Sequence, residues 1–350
     1  MSTTSTPNAT GIAVGNRSAE DLLAQARMLC DPPLRASIES LPNPLRHMAG
    51  YHFGWWDAAG NQTRADSGKA VRPALTMCAA TACGGNWADA MWAAVAVELV
   101  HNFTLIHDDI MDADATRRGR PAVWKVWGVA DAVLLGDALH ALAIRVLASE
   151  ALPEGLAAAA IYRLETAVVE MCRGQSEDCS FETRYDVDTA EYIEMVMGKT
   201  GALMGCACAL GALSAGADSK AVSAMDSFGR ELGLAFQFAD DVIGIWGDPR
   251  VTGKPAGNDL ARRKRSLPVI AALESNTSAA TELAALYRSD APMTAQDILH
   301  ATALIEAAAG RHGALSLADH SARKAVGMLR EWHTAGDLMT LTGVIAHRDR

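Results

Sequence analysis

The eighteen residues TGALMGCACALGALSAGA, Thr200 to Ala217, carry no charge, and this narrows what the chain can fold into. A stretch of that length either crosses a bilayer or is enclosed in a core where its backbone polar groups satisfy one another. Its residues are mainly Gly, Ala, Ser and Cys, small side chains that let a helix approach its neighbours closely. A close-packed helix inside a helical core is therefore expected, with no stable membrane insertion. The remaining sequence agrees. Half of the residues are hydrophobic but only 5% are aromatic, alanine is plentiful, and runs of β-branched residues are scarce, which favours an all-α fold.

Helical patterns recur over 88–101, 132–147, 154–173, 189–197, 222–245 and 293–309. Turn signals separate them: CGGN at 83–86, LPEG at 152–155, SAGADS at 214–219, and the long GDPRVTGKPAGNDLARRKRSLP at 247–268. No Ser- or Pro-rich linker divides the chain and no fixed-period repeat is present. A single all-helical domain over residues 21–350 is expected, after a disordered N-terminal lead over 1–20 that lacks the basic start and apolar run of a signal peptide. The net charge of −10 excludes a general nucleic-acid binder but leaves room for a local basic pocket. Seven cysteines form no CxxC pair and no metal-ligand spacing; reduced, mostly buried thiols in a cytoplasmic protein are expected.

The chemistry concentrates in LIHDDIMDADATRRGRP, Leu105 to Pro121, with four aspartates in seven positions followed by Arg117 and Arg118. On a helix, Asp108, Asp109 and Asp112 span roughly 100° and share a face. Carboxylates so close raise one another's pKa unless cations compensate, and without His or thiolate they suit oxygen-loving Mg²⁺. An acidic helix end beside a loop is the plainer alternative. The apolar approach and the two arginines, rigid donors matched to phosphate oxygens, favour a metal and phosphate site. A second acidic pair, Asp240 and Asp241, lies in GLAFQFADDVIGIWGDP, with Gln237 four residues before Asp241 on an otherwise apolar helix. Two carboxylate clusters on facing helices could hold several Mg²⁺ ions around one diphosphate. Basic residues recur beside glycine in SGKAVRP, RRGRP, GKT and TGKPAGNDLARRKRSLP. A P-loop reading of GKT fails because the required glycine is Ile193.

Together these motifs resemble the trans-isoprenyl diphosphate synthases, from about Arg46 onward. DDxxD matches Asp108, Asp109 and Asp112; RRG matches Arg117 to Gly119; GKxxRP matches Gly68 to Pro73; KT matches Lys199 and Thr200; FQxxDD matches Phe236 to Asp241. Two later loop lysines match Lys254 and Lys264. The resemblance implies an antiparallel helical bundle around a deep apolar cavity, usually in a homodimer. It also implies condensation of isopentenyl diphosphate with an allylic diphosphate (dimethylallyl, geranyl or farnesyl), using Mg²⁺, three ions per site. Carried over, Asp108, Asp109, Asp112, Asp240 and Asp241 would hold metal. Arg117, Lys199, Thr200, Gln237, Lys254 and Lys264 would bind the allylic diphosphate, and Lys69, Arg72, His101 and Arg118 the isopentenyl diphosphate. Catalysis would rest on Asp108, Asp109, Asp112, Lys199, Asp240 and Lys254.

One position departs from the pattern: Gly244 stands where many members carry a third aspartate, with Asp248 a turn later. Phe103, five residues before Asp108 and about 7.5 Å along a helix, would form the cavity floor with Thr104 beside it. That arrangement resembles synthases that stop at C20, so geranylgeranyl diphosphate is the expected product, with farnesyl or longer polyprenyl diphosphate as alternatives. Two other classes are weighed. A class I terpene cyclase needs (N/D)DxxSxxxE as its second motif, and Asn258-Asp259 begins it, but Arg262 occupies the serine position. A non-catalytic partner subunit would have lost motif aspartates or basic residues.

Overall fold

The computed structural model describes residues 17–63, 65, 68–149, 155–248, 257–289 and 291–346. Among them, sixteen α-helices account for nearly all regular structure. They are α1 (Ala19–Glu39), α2 (Leu45–His52), α3 (Val71–Ala82), α4 (Met91–Met111), α5 (Val123–Trp127), α6 (Val129–Ala148), α7 (Ala157–Phe181) and α8 (Thr189–Val196). Then come α9 (Ala202–Ser214), α10 (Ser219–Trp246), α11 (Asn258–Ala261), α12 (Leu267–Leu273), α13 (Ser278–Arg288), α14 (Ala295–Ala307), α15 (Gly310–Met328) and α16 (Gly336–Ala346). The all-α expectation holds. The one sheet among the described residues is a hairpin of β1 (Thr116–Arg117) and β2 (Arg120–Pro121), which the helical periodicity gave no reason to expect.

The expected lead over 1–20 overlaps the first helix. Ser18 and Asp21 form a capping box at the start of α1, and Arg17 pairs with Asp337 at the far end of the chain. Residues 1–16 lie outside the described residues. Leu22, Ala26, Cys30, Leu34 and Ile38, each four residues from the next, then form the buried stripe of α1.

At the centre sits α9. All of its thirteen residues except Leu213 are buried, because α3 and α10 lie against it on opposite sides. Small residues set those approaches. A Cβ on Gly211 would lie 2.9 Å from the carbonyl carbon of Thr76 on α3, and one on Gly229 of α10 would lie 2.7 Å from the Gly205 Cα of α9. Among the described residues only the continuous helical run Thr189–Ser214 is long and apolar enough to cross a membrane, and 83% of its most apolar window is buried. Four of the seven cysteines are buried, Cys172 is exposed, and none is paired.

Between α8 and α9 the chain makes a π-helical turn, Met197–Gly201, that carries Lys199 and Thr200. Gly174 of α7 and Gly198 of this turn touch nearly backbone to backbone: a Cβ on Gly174 would meet the Gly198 carbonyl carbon at 2.9 Å. Helices α4, α7 and this turn consequently surround one cavity. Overpacking a core typically costs 1–3 kcal/mol. Gly229→Val should lower stability by about 3 kcal/mol, the upper end of that range, because helix backbone is what must move. The denaturant midpoint checks this.

Candidate active site

Helix α4 delivers the first aspartates and ends on them, with Asp112 as its C-cap. Adjacent helical residues diverge by 100°. Asp108 accordingly lines a cavity of about 470 Å³, while Asp109 turns toward the β-hairpin and is 1% exposed. Asp109 Oδ1 accepts from Arg117 Nε at 2.9 Å and from Nη2, whereas its buried Oδ2 has no partner. Asp112 lines a narrower cleft of about 50 Å³ with Asp178, Arg262 and Lys264. The sequence-level picture of three carboxylates on one face is thus resolved into two toward the cavities and one toward an arginine. Burial pushes the Asp108 carboxyl up to about 6, with Lys199 opposing the rise and Asp112 adding to it.

The hairpin exists because Arg118 and Gly119, at φ 52° and 72°, make a two-residue turn with both centres left-handed, the type I′ geometry that matches strand twist. A non-glycine residue held there is a conformational cost met at functional sites. The hairpin is pinned to α2: Arg120 Nη1 donates to Tyr51 O at 2.6 Å, Arg120 Nη2 to His52 O at 3.2 Å, and Tyr51 OH to Pro121 O at 2.8 Å. Arg118 then reaches the GKxxRP segment. A Cβ on Gly68 would sit 2.9 Å from Arg118 Nη2, so glycine is needed for the guanidinium to lie there. Arg72 Nη1 donates to His101 Nε2 at 3.1 Å, which requires a neutral imidazole. Burial, followed by the charges of Arg72, Arg118 and Arg117, holds the His101 pKa well below its usual value. Lys69 is exposed at the start of the same segment. Arg118 of the hairpin is thus brought beside Gly68 of the GKxxRP segment, and Arg72 of that segment beside His101 of α4.

On the opposite side, Thr200 Oγ1 donates to Gln237 Oε1 at 3.1 Å, and Gln237 Nε2 donates to Asp241 Oδ1 at 3.0 Å. Asp241 is 1% exposed, and its Oδ2 accepts from Tyr192 OH at 2.5 Å and from Leu267 N at 3.1 Å. Both oxygens are already taken. Asp241, expected as a metal ligand, thus ties α10 to α8 and α12 through its carboxylate, while Asp240 beside it is half-buried. Lys199 Nζ donates to Asp178 Oδ2 at 2.5 Å. Lys264 is held protonated by Asp178, Asp241, Asp259 and Asp112 in that order, against the effect of its burial. Lys254 lies outside the described residues.

Phe103 lines the large cavity together with Thr104, His107, Met171, Cys172 and Gln175. Its ring stacks on His140 at 5.1 Å and meets His107 edge-on at 5.5 Å. His140 is fixed in turn by the Glu165 carboxylate at 2.9 Å.

Three participants escaped the sequence reading. Asp178 and Gln175 project from α7 in GQSED, where polar residues three apart interrupt an apolar face. That interruption was a usable signal. Asp114, which had no role, accepts from Arg262 Nη1 at 2.7 Å, and Arg262 Nη2 donates to Asp112 O at 2.6 Å. Nothing local in the sequence linked positions 148 residues apart.

Among the described residues, no three His, Cys, Asp or Glu side chains converge to hold an ion by themselves. Mg²⁺ does not need that; it binds through one or two carboxylates plus substrate phosphates and water. The oxygen-only donor set and the orphaned Asp109 Oδ2 fit such an ion.

A helical bundle with carboxylates and basic groups at the mouth of an apolar cavity is the architecture of an isoprenoid synthase. The chain belongs to the polyprenyl synthetase family, a family of trans-prenyltransferases, whose description matches residues 54–305. It is 54% identical to the geranylgeranyl diphosphate synthase of Mycobacterium tuberculosis (strain H37Rv), over 94% of this chain and 93% of that one. It is 42% identical to the (2E,6E)-farnesyl diphosphate synthase of the same strain, over 88% of this chain and 86% of that one. Two crystal structures resemble the fold. The polyprenyl synthetase of Streptomyces coelicolor A3(2) superposes with a TM-score of 0.88 at 41% identity, covering 93% and 98% of the two chains. The polyprenyl synthase of Caulobacter crescentus CB15, complexed with calcium and isoprenyl diphosphate, superposes with a TM-score of 0.80 at 28% identity, covering 95% and 99%. Family structures thus hold divalent metal and isoprenyl diphosphate.

A pH prediction follows from His52, which is 4% exposed and bonds Asn102 Oδ1 at 3.1 Å beneath the hairpin. Burial, then Arg118, lowers its pKa from 6.5 to about 3. The unfolded chain therefore binds a proton that the folded chain refuses, and stability falls as pH drops from 6.5 toward 3. At 1.36 kcal/mol per unit, His52 alone should remove about 2 kcal/mol between pH 7 and pH 5. Denaturant titrations of wild type and His52→Gln at the two pH values should show a smaller loss in the variant.

Proposed function

We propose that this protein is a Mg²⁺-dependent geranylgeranyl diphosphate synthase, condensing isopentenyl diphosphate with an allylic diphosphate. The observation that carries this reading is the 470 Å³ cavity lined together by Asp108, Lys199 and Phe103. Charged Asp108 and Lys199 line it beside apolar Phe103, Met111 and Met171, the mixture that a prenyl diphosphate requires. Asp108, Asp109, Asp112 and Asp240 would hold the metal, three ions per site. When bound, Mg²⁺ would neutralise charge gathering on the departing diphosphate. Lys199, Thr200, Gln237, Arg117, Lys254 and Lys264 would hold the allylic diphosphate, and fixed cations in a dry site favour the separated charge as its C–O bond ionises. Lys69, Arg72, His101 and Arg118 would hold the isopentenyl diphosphate so that its double bond attacks C1 of the allylic cation. Loss of a proton to the released diphosphate leaves a chain five carbons longer.

The C20 product rests on the floor. His140 backs the Phe103 ring and Glu165 backs His140, which supports Phe103 as that floor. The 54% identity to a named geranylgeranyl diphosphate synthase supports the same length better than the 42% identity to the farnesyl enzyme. A cytoplasmic homodimer is part of the reading: Val129, Val133 and Leu134 leave exposed apolar surface along α6 that a second copy would cover.

The assay is direct: Mg²⁺ and farnesyl diphosphate, with and without isopentenyl diphosphate. Elongation only when both are present supports the synthase; hydrocarbon from farnesyl diphosphate alone indicates a cyclase; no reaction indicates a partner subunit. Phe103→Ala should shift the product distribution beyond C20 on chromatography, and an unchanged profile removes Phe103 as the floor. Asp108→Asn should lower kcat by about 10²- to 10³-fold, the scale for removing one preorganised charge-stabilising group.

A further inference from the structure

The second acidic edge is short of carboxylates. Gly244 replaces the third aspartate of its motif, both oxygens of Asp241 already accept hydrogen bonds, and the chain leaves the helical path at Gly247, before Asp248. Position 244 is nevertheless filled. A Cβ built on Gly244 would collide with Asp259 Oδ2 and lie 2.8 Å from Asp259 Cγ. The Asp259 carboxylate thus occupies the space where a side chain at 244 would begin. Residue 244 is four residues after Asp240, on the same face of α10 and about 6 Å further along its axis.

We infer that Asp259 supplies the carboxylate that position 244 lacks, so that Asp240 and Asp259 together form the second edge of the Mg²⁺–diphosphate site. Backbone bonds and one side chain hold it there. Gly257 N donates to Ile245 O at 3.1 Å, which docks the start of α11 on the end of α10; Lys264 N donates to Asp259 O at 2.8 Å, which closes the segment. From the same helical turn, Arg262 reaches across to Asp114 and to the Asp112 carbonyl. One short segment therefore presents a carboxylate to the second edge while it grips the first. Lys264, whose charge interacts with Asp178, Asp241, Asp259 and Asp112, lies between them. Two carboxylates completed by diphosphate oxygens and water are what Mg²⁺ accepts. The glycine at 244 then has a physical reason: any side chain there would displace Asp259.

This inference rests on the proposed function, and the experiment separates the two. Mg²⁺ binding in the presence of inorganic diphosphate is measured by calorimetry on the full chain, alongside the Mg²⁺ concentration for half-maximal elongation. Asp259→Asn, which keeps the shape and removes the charge, should weaken Mg²⁺ binding about tenfold and raise the half-maximal concentration similarly, with an unchanged circular dichroism spectrum. Gly244→Asp alone should also weaken it, because two carboxylates contest one space. The exchange Gly244→Asp with Asp259→Ala should return Mg²⁺ affinity to within about threefold of wild type. Wild-type binding that Asp259→Asn leaves untouched overturns this inference alone, as does an exchange that restores nothing. A wild-type protein that takes up no Mg²⁺ with diphosphate overturns the proposed function as well.

Discussion

Charge balance in a poorly solvated interior governs this molecule. Asp108, Asp109, Asp178 and Asp241 are drawn out of water on three helices, and burial pushes up the carboxyls of Asp108, Asp109 and Asp241. Such groups are tolerated only when cations or donors stand opposite. Arg117 answers Asp109, Lys199 answers Asp178, and Lys264 stands among Asp178, Asp241, Asp259 and Asp112. Each pairing joins two different elements, so the same interactions that make the site polar also lock those elements around it. The arrangement is suited to a substrate that brings its own negative charge together with divalent metal.

The backbone is shaped to allow this. Glycines at 174, 198, 211 and 229 remove side chains where helices must nearly touch. The π-helical turn breaks the register between α8 and α9, and Lys199 and Thr200 sit in it; such turns are often found at functional sites. The hairpin from Arg117 to Arg120 takes a left-handed arginine so that one guanidinium meets Asp109 and the next meets the GKxxRP segment. The close approach of Gly174 to Gly198 and a stacked Phe103–His140–Glu165 column both border the cavity.

Much of the site was legible because its residues come in local patterns. Asp108, Asp109 and Asp112 are neighbours on one helix, and their chemistry follows from spacing and composition. Arg117 and Arg118 follow at once. Residues whose role depends on a distant partner were harder to read. Asp241 looked equivalent to Asp240, but Tyr192 and Leu267 reach its Oδ2 from other helices while Gln237 bonds its Oδ1. Asp178 drew no notice, although a Gly-Gln-x-x-Asp interruption of an apolar face was visible. Asp259 first appeared as the start of a motif for a different reaction, and its place over Gly244 is a fact of packing alone.

The sequence by itself determined the helical class, a buried helix within 200–217, the two acidic patches and the basic segments. All of these depend on periodicity, side-chain size and charge, which act over a few residues. Tertiary structure alone decided which carboxylates face the cavity and which are consumed by neighbours, and how a glycine at 244 is compensated from 259. Those outcomes turn on contacts below about 3 Å between segments that are remote along the chain or separated by turns, and no local propensity encodes them.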